Sequence, residues 1–147
     1  MNLKENLKLN GELSITVFDR NGDLKQAMRV PNLVVTAGKQ YIASRMAGTD
    51  STVMSDMAIG TGTTTPVADD TTLGIEAARV ALTTFSASTN TVTATATFPA
   101  GTGNGAITEA GIFNASADGT MLCRTTFPVV NKASGDSIAI SWTVTVS

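Results

Sequence analysis

A chain of 147 residues, 42% hydrophobic and 15% charged, is long enough to close one domain around a sizeable core and too apolar to stay disordered. Its formal net charge of −2 excludes nucleic-acid binding by whole-chain electrostatics, and its lack of histidine excludes Ser-His-Asp and Cys-His catalysis and imidazole metal sites. Abundant threonine favours strands, so the expected class is mainly β.

The single cysteine, Cys123, forms no internal disulfide, so the fold is expected to need no oxidising compartment. No basic, apolar, small-residue signal opens the chain, and no apolar run approaches the roughly 20 residues that span a bilayer. The expectation is a protein folded in the cytoplasm, without a membrane partner. Charge is uneven: positions 1–48 hold seven basic and four acidic residues, a balance of +3, which leaves −5 for the remainder. A weakly basic start suits either a solvated face or an acidic partner surface.

In chain order, residues 1–10 place Leu3 and Leu7 four apart among charges, enough for one turn of helix but too short to hold it unaided. They are expected to form an arm that orders against something else. From residue 11 to 147 a single β-rich domain is expected. Leu13, Ile15 and Val17 alternate with Ser14 and Thr16, and the Asp19–Asp23 stretch supplies a glycine-bearing reversal into a return strand Leu24–Val30. Pro31 cannot donate to a ladder and is expected to mark an edge or a break.

Thr36 is placed to cap a helix over about 37–46, with Gly48 as its stop. Met57–Gly60 reads as a short strand. The following Thr61–Gly74 has too many turn residues for regular structure, and a loop this long is expected either to bind something or to be ordered by assembly.

Glu76–Phe85 and Thr91–Phe98 read as an antiparallel pair joined across residues 86–90, and Ala106–Asn114 and Thr120–Phe127 as two further strands around an Ala117-Asp118-Gly119 turn. In the last strand, Ser137–Ser147, Ile138, Ile140, Trp142, Val144 and Val146 share one face. So regular a strand is expected well inside a sheet. Closely spaced strands with glycine-rich reversals predict an antiparallel β-sandwich or jelly-roll-like domain with one short helix.

Candidate chemistry is sparse. Cys123 and Arg124 are strand neighbours and point to opposite faces, so a packed thiol is expected rather than an activated one. Asp69, Asp70, Asp118 and Asp136 could offer oxygens to Ca²⁺, but no spacing matches a calcium loop and aspartate is a routine turn residue. Asp70 is expected to cap the turn before Leu73. Gly60-Thr61-Gly62 and the 101–105 stretch lack the Lys-Ser/Thr ending of a phosphate loop and read as turns. Glu76, Arg79, Glu109 and Arg124 are charges set in apolar strands, and each carboxylate has an arginine to pair with, so a structural ion network is expected. Aromatics do not alternate with basic residues as a nucleic-acid stacking surface requires. No catalytic, cofactor-binding or metal residue is assigned.

The early hairpin followed by PNLVVTAGKQYIASRMAG (31–48), MAIGTGTTTPVADDTTLGIEAARV (57–80), TFPAGTGNGAITEAGIFNA (97–115) and GTMLCRTTFPVVNKASGDSIAISWTVTVS (119–147) resembles small structural proteins of tailed-phage virions, of the head decoration, cement or fibre-associated type. The resemblance implies a non-enzymatic subunit, assembled in a host cytoplasm and seated on the capsid surface. It implies a homotrimer whose partners are the major capsid protein and other virion proteins. Capsid contacts would then fall on Leu3, Lys4, Leu7 and Lys8. The alternative position is a tail, baseplate or fibre-associated subunit. An alternative of another class is a carbohydrate-binding β-sandwich module, which would need exposed aromatics to stack on sugars, whereas Trp142 and Tyr41 are expected in packing.

Overall fold

A computed structural model of the chain describes residues 3–50 and 52–147. Met1 and Asn2 of the predicted arm lie outside the described residues. The elements run β1 (Leu9–Phe18), β2 (Leu24–Val34), α1 (Thr36–Ala47), β3 (Asp56–Gly60), β4 (Glu76–Ala81), β5 (Thr84–Ser88), β6 (Thr91–Phe98), β7 (Gly105–Phe113), β8 (Met121–Lys132) and β9 (Ser137–Val146). All the strand pairings are antiparallel, in the order β4-β3-β7-β8-β2-β1-β9-β6-β5. The fold is the sandwich-like, mainly β architecture that the alternation predicts.

That order curls into two layers because two strands turn corners. β2 pairs with β1 from Asn32 back to Leu24, but with β8 only through Leu33 and Val34. Pro31 sits at this corner. Its carbonyl accepts a hydrogen bond from Thr125 Oγ1, so its backbone faces away from β1 and its missing N–H falls on the open edge. The strand therefore bends at Pro31 without breaking.

The second corner corrects the expected strand Glu76–Phe85. Leu82 N–H donates to Ser55 O, beside β3, while Thr83 N–H donates to Thr95 O on β6. The chain passes from one layer to the other within a single peptide step, so β4 pairs with β3 and only β5 pairs with β6. The side-chain period slips by one at the handover: Ala78, Val80 and Leu82 pack against the core, whereas in β5 it is Phe85 that lies opposite core residue Ala94, with Thr83 and Thr84 both facing Thr95.

The core lies between the layers. Leu13, Ile15 and Val17 of β1, Ala94, Ala96 and Phe98 of β6, and Ile138, Ile140 and Trp142 of β9 face Met57, Ile59, Ile107, Ile112, Cys123 and Val130. β9 is flanked by β1 and β6, inside its layer as its regularity predicts.

α1 rests on β8. Gly38 makes this possible, since a Cβ there would lie 2.1 Å from Leu122 O. Gly48 ends the helix in the left-handed conformation (φ 71°), donating to Arg45 O and Ser44 O. The predicted cap by Thr36 does not form. Val35 occupies the N-cap with no side-chain bond, and Thr36 N–H is taken by Ala68 O of the long loop.

Candidate functional site

The long Thr61–Gly74 loop is held in place by hydrogen bonds from within the chain. It lies over the outer face of β3, β7 and β8, and a carboxylate on that face holds it. Glu109 Oε1 accepts from Gly62 N–H (2.8 Å) and Ile75 N–H (2.7 Å), and Oε2 from Gly74 N–H (2.9 Å). Arg124, on β8, completes the shell by donating to Oε2 from Nη2 (2.8 Å) and Nε (3.1 Å).

The register explains the meeting. Gly111 stands directly opposite Arg124, and Glu109 lies two residues along on the same face, within diagonal reach of the guanidinium. Gly111 itself makes room for Leu73 and the Phe113 ring, which a Cβ there would meet at 3.0 and 3.2 Å, while a Cβ on Gly60 or Gly62 would come within 2.6 Å of Glu109 Oε1. Arg124 also donates to Thr64 O (2.9 Å) and Asp70 Oδ2 (2.8 Å). Asp70 accepts from Val67 N–H, so it closes the turn before it and not, as expected, the one before Leu73. Leu73 packs with Val35, Ala58, Phe113 and Met121 into a small second core beneath the loop.

Burial raises the cost of charge on Glu109, but the donations from Ile75, Gly74, Arg124 and Gly62 outweigh it and hold its carboxyl below the ordinary glutamate range. A carboxylate so enclosed, with fixed donors on both oxygens, has no lone pair presented to a substrate. Its chemistry is structural.

Glu76 and Arg79 form a second, separate pair, joined by Nε and Nη2 at 3.1 and 2.7 Å. Three residues apart on a regular strand they would face opposite ways, but Gly60 opposes Glu76 while Ile59 opposes Ala78. Ala77 is thus bulged, and the extra residue restores both charges to one face. Arg79 lies 3.8 Å over the Phe113 ring and donates to Ala115 O and Asp118 O, clamping the turn between β7 and β8. Among the described residues the ion pairs of Arg79 and Arg124 share no carboxylate.

The other sequence candidates are dispersed. Asp136 pairs with Lys25 and accepts from Ala133 N–H. Asp118 holds a left-handed turn position (φ 52°). Among the described residues no three Asp, Glu or Cys side chains gather as a metal site would require. Cys123 is fully buried, and burial pushes its thiol far up.

Of the arm residues, Leu3 and Leu7 are 88% and 70% exposed, and Lys4 and Lys8 are exposed beside them. The arm runs into β1 through a backbone pair between Lys8 and Ser147 (2.6 and 2.8 Å). Between arm and helix lies a groove of about 520 Å³, lined by Leu7, Leu9, Leu33, Ile42 and Met46 together with Lys8 and Lys39. Sequence reading found the arm but missed the groove. The signal in the sequence was Met46 itself, an apolar side chain in the last turn before Gly48, and the structure leaves it 82% exposed.

These features define a β-sandwich whose long loop is fastened by a buried ion pair and whose arm and helix border an apolar groove, the outline of a structural module. Residues 28–146 match the model of the phage tail-collar fibre protein, N-terminal, family, and the chain belongs to that family. No curated protein and no solved structure matches it. The family supports a phage virion structural protein associated with the tail fibre, in place of the head-decoration setting named first from sequence resemblance.

Proposed function

We propose that this protein is a non-enzymatic, tail-fibre-associated subunit of a phage virion that docks on its neighbours through the arm and the groove beside α1. The match of residues 28–146 to the tail-collar fibre family carries the reading. Exposed Leu3, Leu7 and Met46 beside Lys4, Lys8 and Lys39 support the choice of face, since apolar side chains left open next to basic ones suit an acidic, partly apolar partner surface.

Quantitative mass spectrometry of purified particles tests the position. A few copies per particle is the expected result. A number comparable to the major capsid protein would return the protein to the head, as a decoration protein on the capsid lattice. The face is tested separately with Lys4→Glu/Leu7→Asp in the full chain. That variant should fold and fail to incorporate, and normal incorporation would refute the assignment. Substitution is preferable to deleting residues 1–10, because β1 already begins at Leu9.

A further inference from the structure

The open backbone edges of this fold are not equally protected. β2 between Leu24 and Pro31 has an unpaired side, as does β8 beyond Arg124. These edges carry Pro31, Pro128, Lys25 and Arg29, and Pro128 lies in a bulge where three residues of β8 face Thr108 alone. β4 carries the Glu76–Arg79 pair and its own bulge. Prolines, charges and bulges are the usual means of blocking strand addition. From Thr84 to Ser88 β5 has none of them; the irregularity nearest it, where Thr83 and Thr84 both face Thr95, lies at its head. Its sequence is Thr-Phe-Ser-Ala-Ser, it ends the sheet, and every residue in it is exposed.

The direction of its free groups follows from the register. Asn90 O accepts from Val146 N–H, so even-numbered β6 residues turn their backbone toward β9 and odd-numbered ones toward β5. Thr84, Ser86 and Ser88, opposite Thr95, Thr93 and Thr91, therefore bond inward, and Phe85 and Ala87 present N–H and C=O outward. Phe85, on the core side, keeps 37% of its surface open.

We infer that β5 is a pairing edge for a second copy of this chain, joined antiparallel about a two-fold axis through Ser86. The strand is its own complement. Reversed about Ser86, Phe85 meets Ala87 of the second copy with both outward backbone pairs satisfied, and Thr84 meets Ser88, hydroxyl against hydroxyl. No charge opposes another, and the open side of Phe85 is covered. Such an isologous contact continues the hydroxyl-bearing outer face of β5, β6 and β9 from one copy into the next. A five-residue strand buries well short of the roughly 1,200 Å² of a stable interface, so the contact is weak in free solution and completes when copies are held side by side. It is independent of the docking face proposed above.

The register makes a clean test, because the native Cys123 is buried. At a two-fold, non-hydrogen-bonded position the facing Cβ atoms lie about 4.5–5.5 Å apart, near enough to the disulfide range to bridge with a small adjustment. Full-length Ser86→Cys at high concentration, oxidised with copper phenanthroline, should accumulate as a covalent dimer. Thr84→Cys and Ser88→Cys should each stay monomeric alone but cross-link when mixed. Adding Ala87→Pro to Ser86→Cys removes an outward donor without touching the β6 ladder and should abolish the dimer. The inference is overturned if Ser86→Cys remains monomeric, if Thr84→Cys alone cross-links as readily, or if Ala87→Pro leaves the dimer intact.

Discussion

Glu109 Oε2 and Arg124 Nη2 lie 2.8 Å apart with side chains 0% and 2% exposed, and around this contact the long loop, β7 and β8 are fastened together. A pair this enclosed is costly to desolvate and costlier to break, because removing one partner strands the other charge. Glu109→Gln and Arg124→Met should each destabilise the chain by about 3–5 kcal/mol, and the double variant by clearly less than their sum. Urea unfolding followed by the fluorescence of Trp142, the only tryptophan, measures this. Additive losses would mean that the pair acts through the backbone and not through charge.

Acid should loosen the same fastening. The folded-state pKa of Glu109 is depressed, so the unfolded chain takes up its proton first as pH falls. The stabilisation is therefore complete above the ordinary glutamate value of about 4.3 and is lost as pH drops through the lower folded value. Asp136 is lowered too, chiefly by the hydrogen bond from Lys25, and contributes with the same sign. Melting temperature should hold from neutral pH to about 5 and fall below that. The fall should be shallower in Glu109→Gln, and equal slopes would assign the acid sensitivity elsewhere.

Gly38→Ala tests the seat of the helix. The added methyl meets Leu122 O at 2.1 Å, backbone that cannot rotate away, so a loss of about 1–3 kcal/mol is expected from overpacking. Gly48→Ala meets nothing within 4 Å but sits at φ 71°, and should cost about 1–2 kcal/mol through conformation alone. Thermal melts of both variants separate crowding from strain.

Cys123 should not react with Ellman's reagent in the folded protein. Burial raises its pKa, and no path leads from solvent to the sulfur in a residue 0% exposed. Labelling should follow unfolding, and prompt labelling in native buffer would show that β8 opens locally.

The sequence made the strands legible wherever one face meets the core and the other meets water, as in Leu13, Ile15 and Val17 or in Ile138, Ile140 and Trp142. It did not show where a strand changes partners. Leu82 and Thr83 are neighbours in one apparent strand, yet Leu82 N–H bonds beside β3 and Thr83 N–H bonds to β6 in the other layer. The charged residues Glu76, Arg79, Glu109 and Arg124 were visible as unusual, but their division into two pairs depends on the bulge at Ala77 and on the β7–β8 register that sets Arg124 opposite Gly111, diagonal to Glu109. Both are matters of register, and no single strand records its neighbour's register. The loop's order was hidden for a related reason: its fastening residue, Glu109, stands far from it along the chain.

The antiparallel junction of Lys8 with Ser147 also sets how the molecule carries load. β1 runs from that junction to Phe18 between β2 and β9, paired with β9 from Leu9 and with β2 from Gly11 onward. Tension applied to the arm and resisted at the far end of the sandwich, where Lys25 grips Asp136, runs along β1. The ladder bonds lie across that direction, so they share the pull and must shear together. Tension that draws Lys8 away from Ser147 opens the same ladder one bond at a time. The domain is a strong tether along its strands and a zipper across them.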